Sequence, residues 1–200
     1  MSWRRLTVAA GYSLVLAVST VIFHTRGAGT RQAWLTWTST NLDNLTRHPI
    51  AAMVTSGLFA EGGVLAWTIL SLVGLGAVSW TFGNRRTLLL VAVAHVIGTL
   101  VSEGILAWRI AAGQEPASAR FIVDVGPSYV VVCALVAGAC FGARWWRLAA
   151  LVGFALMAPT LFSGLTDFDV SAVGHTCAAA IGALLGWLLW RRGRPEHQLE

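Results

Sequence analysis

Six apolar runs, at residues 6–23, 64–82, 87–108, 128–143, 147–164 and 172–190, are set off by arginines, and this spacing constrains the fold more than any other feature of the chain. A hydrocarbon core about 30 Å thick takes about 20 residues of apolar helix to cross, and each run approaches that length. Lipid offers no partner to backbone N–H and C=O groups, so a single apolar segment must satisfy them internally as an α-helix. The sequence predicts an all-α integral membrane protein, one domain over 1–200 folded as a six-transmembrane-helix bundle. Composition agrees, since 56% of the 200 residues are hydrophobic and 12% charged, with a mean hydropathy of +0.68, beyond the usual apolar share of a soluble domain.

The formal charge of +5 comes from fourteen arginines and no lysine. Gathered into one patch they would point to nucleic acid. They lie instead at the ends of the runs, which argues for topology and for no nucleic-acid partner. Nine of them (Arg4, Arg5, Arg85, Arg86, Arg144, Arg147, Arg191, Arg192 and Arg194) fall on one side, and five (Arg26, Arg31, Arg47, Arg109 and Arg120) on the other. The positive-inside rule makes the nine-arginine side cytoplasmic, with both termini inside. A multi-pass protein of a bacterial-type cytoplasmic (plasma) membrane follows. The first run is long for the core of a signal peptide and reads as a span.

Cys133, Cys140 and Cys177 fall inside the runs and read as small apolar fillers rather than a disulfide framework. No Cys/His spacing resembles a zinc site and no glycine-rich phosphate loop follows a strand, so neither a metal nor a cofactor is expected. The connection 24–63 is unlike the others. Forty residues long, it carries Trp34, Trp37, Met53, Leu58 and Phe59 among Thr, Asn and Ser. Its tryptophans favour the membrane–water boundary, so 24–63 is expected to form an exterior interfacial substructure.

Two residues share a depth. Ser128 and His175 each precede an arginine, Arg144 and Arg191, by sixteen positions, about 24 Å of helix at 1.5 Å per residue. In a six-span topology both runs travel the same way. Pro127 suits a first helical turn and Gly126 lets the chain turn in. The free backbone N–H groups there, near Gly126, Ser128 and Tyr129, suit an oxyanion. Small residues spaced by four, Ala134, Gly138 and Gly142 in the fourth run and Ala178, Gly182 and Gly186 in the sixth, are expected to let the two helices approach closely. A serine hydroxyl becomes a nucleophile when a neighbouring base takes its proton, and an imidazole of pKa about 6.5 serves at neutral pH. A polar packing role for each residue is the plainer alternative. In the third run His95 and Glu103, eight apart, lie roughly on one face, which also admits a small transporter.

Gly126-Pro127-Ser128 opening the fourth run, His175 beginning a glycine-rich sixth, six runs in all and a long first exterior loop together resemble the rhomboid intramembrane serine proteases. Phe59-Ala60-Glu61-Gly62-Gly63 and Trp80-Thr81-Phe82-Gly83-Asn84 are similar to the segments flanking the second span of that family. The likeness runs from about residue 46 to 190. It implies a Ser128–His175 dyad that cleaves transmembrane substrates near their exterior end, with Ser128 attacking and His175 as base. Loop 165–170 would cap the cavity. The chain makes three departures from the family pattern. Tyr129 stands where a small residue usually follows the serine, Glu61 where a histidine is common, and Ala66 with Leu70, or Ser71 with Leu75, where a His and an Asn help hold the oxyanion. A rhomboid relative that binds membrane clients without cutting them is the alternative this pattern implies.

Overall fold

The computed structural model describes residues 3–192; Arg194, counted above among the nine arginines, lies outside them. The described residues form helices and turns with no strand. Six long helices fall where the apolar runs are: α1 (Thr7–His24), α5 (Val64–Phe82), α6 (Asn84–Ala111), α7 (Ser128–Phe141), α8 (Arg144–Leu161) and α9 (Val170–Arg191). Between α1 and α5 the connection folds into three short helices, α2 (Ala28–Thr38), α3 (Leu42–Arg47) and α4 (Pro49–Ser56). Two of these start as their sequence dictates. Asn41 accepts the Asn44 N–H at 2.9 Å to cap α3, and Pro49 opens α4 at a position whose N–H would be unpaired anyway.

Helices α1, α5, α6 and α9 are long and apolar enough to cross a membrane. Helix α7 is apolar but has only 14 residues, and α8, carrying two arginines in its first turn, is not among the four. Helix boundaries also move. The fifth run starts at Arg144 and ends at Leu161, three residues earlier than expected, because the chain turns at Gly164 (φ 81°) shortly after Pro159. The third run gains residues at both ends. One residue, Gly83, closes α5 and opens α6 with φ 82° and ψ 162°, a conformation essentially reserved for glycine, so the hairpin needs no longer loop.

The core is organised around α7, which packs on α5, α6, α8 and α9 and buries most of its residues. Its Cys133 is buried, whereas Cys140 is exposed. Helix α1 packs on the outer side of α5, where Ser13 and Ser71 share a 2.7 Å hydrogen bond. At one end of the bundle Asn84 donates to the Arg4 carbonyl at 2.6 Å, and the Phe141 ring packs at a tilt against Phe82 and Trp190. This arginine end gathers Arg4, Arg5, Arg85 and Arg86. At the opposite, loop end, Arg120 meets Asp43 at 3.5 Å. Arg109 there pairs with Glu115 at 2.9 Å and donates to the Asp167 carbonyl.

Candidate functional site

The site is built where the first turn of α7 enters the bundle. Residues 122–127 are held between the short helices and the long ones. Thr40 N–H donates to the Asp124 carbonyl at 3.0 Å, Asp124 N–H to Ser39 Oγ at 2.9 Å and Gly126 N–H to the Ser56 carbonyl at 2.9 Å. These hydrogen bonds fix the irregular backbone of 124–126 against the short helices.

Which side chain faces α9 follows from the helical period. Tyr129, Cys133, Ala137 and Phe141, spaced by four, form the contact: Gly174 lies against the Tyr129 ring, Gly182 against the Cys133 backbone, and Gly186 against Phe141 and Ala137. A Cβ added at Gly174 would lie 2.1 Å from Tyr129 Cζ and at Gly182 2.6 Å from the Cys133 carbonyl oxygen. The glycine stripe of α9 thus does face α7, but the α7 stripe expected to meet it faces elsewhere. Gly138 lies against Ala77 of α5 and Ala150 of α8, Ala134 lies against Gly74 of α5, and Gly142 is the C-cap of the helix.

The same rotation decides the serine. The two helices are level here, but it is Tyr129 that meets His175, ring edge to ring face with centroids 5.3 Å apart. Ser128, one residue and about 100° earlier on the helix, lines a small recess with Thr40, Ser56, His95, Asp124, Gly126 and Tyr129 itself. Ser128 Oγ has no hydrogen bond among the described residues, and none joins it to His175. His175 Nδ1 lies 2.7 Å from the Leu161 carbonyl. A carbonyl only accepts, so Nδ1 carries the proton and Nε2 is the bare nitrogen, buried with no partner. His95 is arranged likewise, with Nε2 2.8 Å from the Met53 carbonyl and 3.3 Å from Ser56 Oγ, and Nδ1 buried and unpartnered. Tyr129 stands between the two imidazoles, 6.0 Å from that of His95.

The residue that organises this cluster is Asp124. Its carboxylate accepts from Tyr129 Oη at 2.9 Å, Thr40 Oγ1 at 3.3 Å and Ser171 Oγ at 3.3 Å, joining the 39–41 turn, α7 and α9. Burial raises its pKa above the ordinary carboxylate value, against the pull of the Tyr129 and Thr40 hydrogen bonds. Glu103 of α6 is buried too, with the Leu42 backbone beside its carboxylate. Asp124 is not among the candidate residues read from the sequence. The available signal was its place three residues ahead of Pro127, at the mouth of a helix whose first turn carries the tyrosine.

The residues that take the place of the second-span donors look away from the recess. Ser71 bonds to Ser13 and to the Thr68 carbonyl, Leu75 is core, and Leu70 packs on Gly153 of α8. Glu61 is exposed. Asp169 accepts the Ala172 N–H at 3.1 Å and caps α9. Among the described residues no group of three or more His, Cys, Asp or Glu side chains is arranged to hold a metal ion.

Apolar helices long enough to span lipid, closing around a buried knot of Asp, Tyr, His and Ser, define a multi-pass membrane protein with a polar centre at one end of the bundle. A family model described as rhomboid-like protein matches residues 8–195, and the chain belongs to that family. Neither the curated proteins nor the solved structures compared with it gave a match.

Proposed function

We propose that this chain is a non-hydrolysing member of the rhomboid-like family, a six-span protein of the cytoplasmic membrane that binds transmembrane clients. The observation that carries the reading is the position of Tyr129. Its ring fills the space beside His175 into which a nucleophile would have to come, and its hydroxyl is held by Asp124. General-base catalysis needs hydroxyl and imidazole within hydrogen-bond reach, about 2.6–3.2 Å, and Ser128 lines a recess with His95 and Tyr129, of which His175 is not part. The lack of a side-chain oxyanion donor from α5 supports the same reading, since one such donor is worth roughly 10²–10³ in turnover. The client half rests on the likeness to rhomboid relatives that bind without cutting, together with an exposed apolar flank of α5 at Leu65, Ile69 and Leu72. In this proposal both termini are cytoplasmic and the 24–63 substructure is exterior.

One observation favours a second reading, a protease whose dyad closes when Tyr129 moves. His175 keeps its Nε2 lone pair free while Nδ1–H is anchored on Leu161, as a general base requires. An activity-based fluorophosphonate probe separates the two. The folded protein in detergent or nanodiscs is expected to label no more than Ser128→Ala. Labelling that disappears in both Ser128→Ala and His175→Ala would establish the protease.

A further inference from the structure

A second polar pocket lies at the end of α1 and shares no lining residue with the Ser128 recess. Phe23 and His24 close α1, Arg31 and Gln32 project from α2, and Glu61 comes from the turn before α5; they line a pocket of about 370 Å³. Opposite charges share it without pairing, for among the described residues neither Arg31 nor Glu61 makes an ion pair. His24 Nε2 is buried there with no hydrogen-bond partner. A simple anion would satisfy Arg31 and face Glu61, and a simple cation the reverse. A zwitterion answers both, its acid on Arg31 and His24 and its ammonium on Glu61.

Two further observations identify the source of that zwitterion. α1 is one of the helices fit to span the membrane, and His24 is its last residue, so the pocket opens at the level where lipid headgroups lie. Beside it, the adjoining stripe of α2 forms an apolar recess of about 460 Å³ lined by Trp34, Trp37, Leu58 and Phe59. The rings of Phe23, Trp34 and Phe59, with centroids 4.9–6.2 Å apart, form the wall between the two. A charged compartment beside an apolar one matches a molecule with a zwitterionic head and a hydrocarbon tail. We propose that the α1–α2 pocket binds the phosphoethanolamine group of a phospholipid, with its acyl chain along the Trp34–Phe59 recess. The inference rests on membrane insertion alone and stands whether or not the protein hydrolyses peptides.

Native mass spectrometry of the delipidated full chain, titrated with lyso-phosphatidylethanolamine, lyso-phosphatidylcholine and lyso-phosphatidylglycerol, tests it. The ethanolamine lipid is expected to bind best, and Arg31→Gln or Glu61→Gln each to weaken it roughly tenfold, the loss of one charge-assisted hydrogen bond. Both positions are polar and at least partly exposed, so the variants keep the fold, which a thermal melt verifies. Trp34→Ala is expected to weaken the lyso-lipid while sparing the small affinity for soluble phosphoethanolamine. Equal binding of the choline lipid, preference for the glycerol lipid, or indifference to Arg31→Gln and Glu61→Gln would each overturn the proposal. So would soluble phosphoethanolamine binding as tightly as the lyso-lipid, which would assign the pocket to a free zwitterion.

Discussion

Tyr129 shows how much one residue of helical phase can change. A hydroxyl one position before it looks into a recess with His95 and Ser56, while the phenol looks at His175. Depth was legible in the sequence because rise per residue is constant, whereas azimuth depends on which stripe of α7 meets α9. Two stripes of small or slender residues competed for that role, 134–138–142 and 129–133–137. The tyrosine settled on the second because Gly98 and Gly174 leave a slot for its ring. Filling that slot is costly. Gly174→Ala is expected to destabilise the fold by about 3 kcal/mol, at the upper end for overpacking, read as a lowered midpoint in a detergent thermal melt. Tyr129→Gly empties the slot and frees the space beside His175. If it gains probe labelling that requires Ser128, the catalytic pair is latent; continued silence supports the non-hydrolysing reading.

Asp124 makes a pH prediction. The folded protein holds its proton above the ordinary carboxylate pKa of about 3.9. The stability this contributes is fully present below the unfolded value and is lost as pH rises through the higher folded one. Wild type should therefore lose stability relative to Asp124→Asn as pH is raised from about 4, measured as the difference between their melting temperatures. Parallel curves would show that the hydrogen bonds from Tyr129 and Thr40 offset burial, and the opposite trend that they outweigh it.

At the scale of elements, the long helices were readable because lipid allows little else, and their ends because Gly, Pro and Asn act locally. The short helices α2, α3 and α4 were not, since Thr, Ser and Asn in 36–44 take their structure from one another. Asn44 alone donates to the Thr36 and Ser39 carbonyls, a knot that no periodicity announces. The packing of α9 on α7 depends on contact between a Cα and a carbonyl. Gly182→Ala places a methyl against the Cys133 backbone, which cannot yield as a side chain would. Its effect is expected to exceed that of Gly186→Ala, whose neighbours are the Phe141 ring and the Ala137 methyl; unfolding of both variants in denaturant gives the comparison.

Across the whole molecule, charge is sorted to the two ends, and one partly buried arginine ties the far ones together. Arg109 closes α6 by bonding Glu115 and the Asp167 carbonyl of the turn before α9. Arg109→Gln is expected to cost about 1 kcal/mol and to speed hydrogen exchange in 162–169 and 113–116 while sparing α7. Exchange that rises equally throughout would mean that the turn is not a separable unit.

The brevity of α7 also bears on how the protein is made. Fourteen residues give about 21 Å of helix, short of the roughly 30 Å that a segment must cover to be retained in a bilayer unaided. During synthesis the central helix of this bundle is expected to lack a stable membrane position of its own until its neighbours arrive. It is therefore expected to enter paired with α8 across the tight Gly142–Ala143 turn, so that the innermost element of the finished protein is among the last to settle.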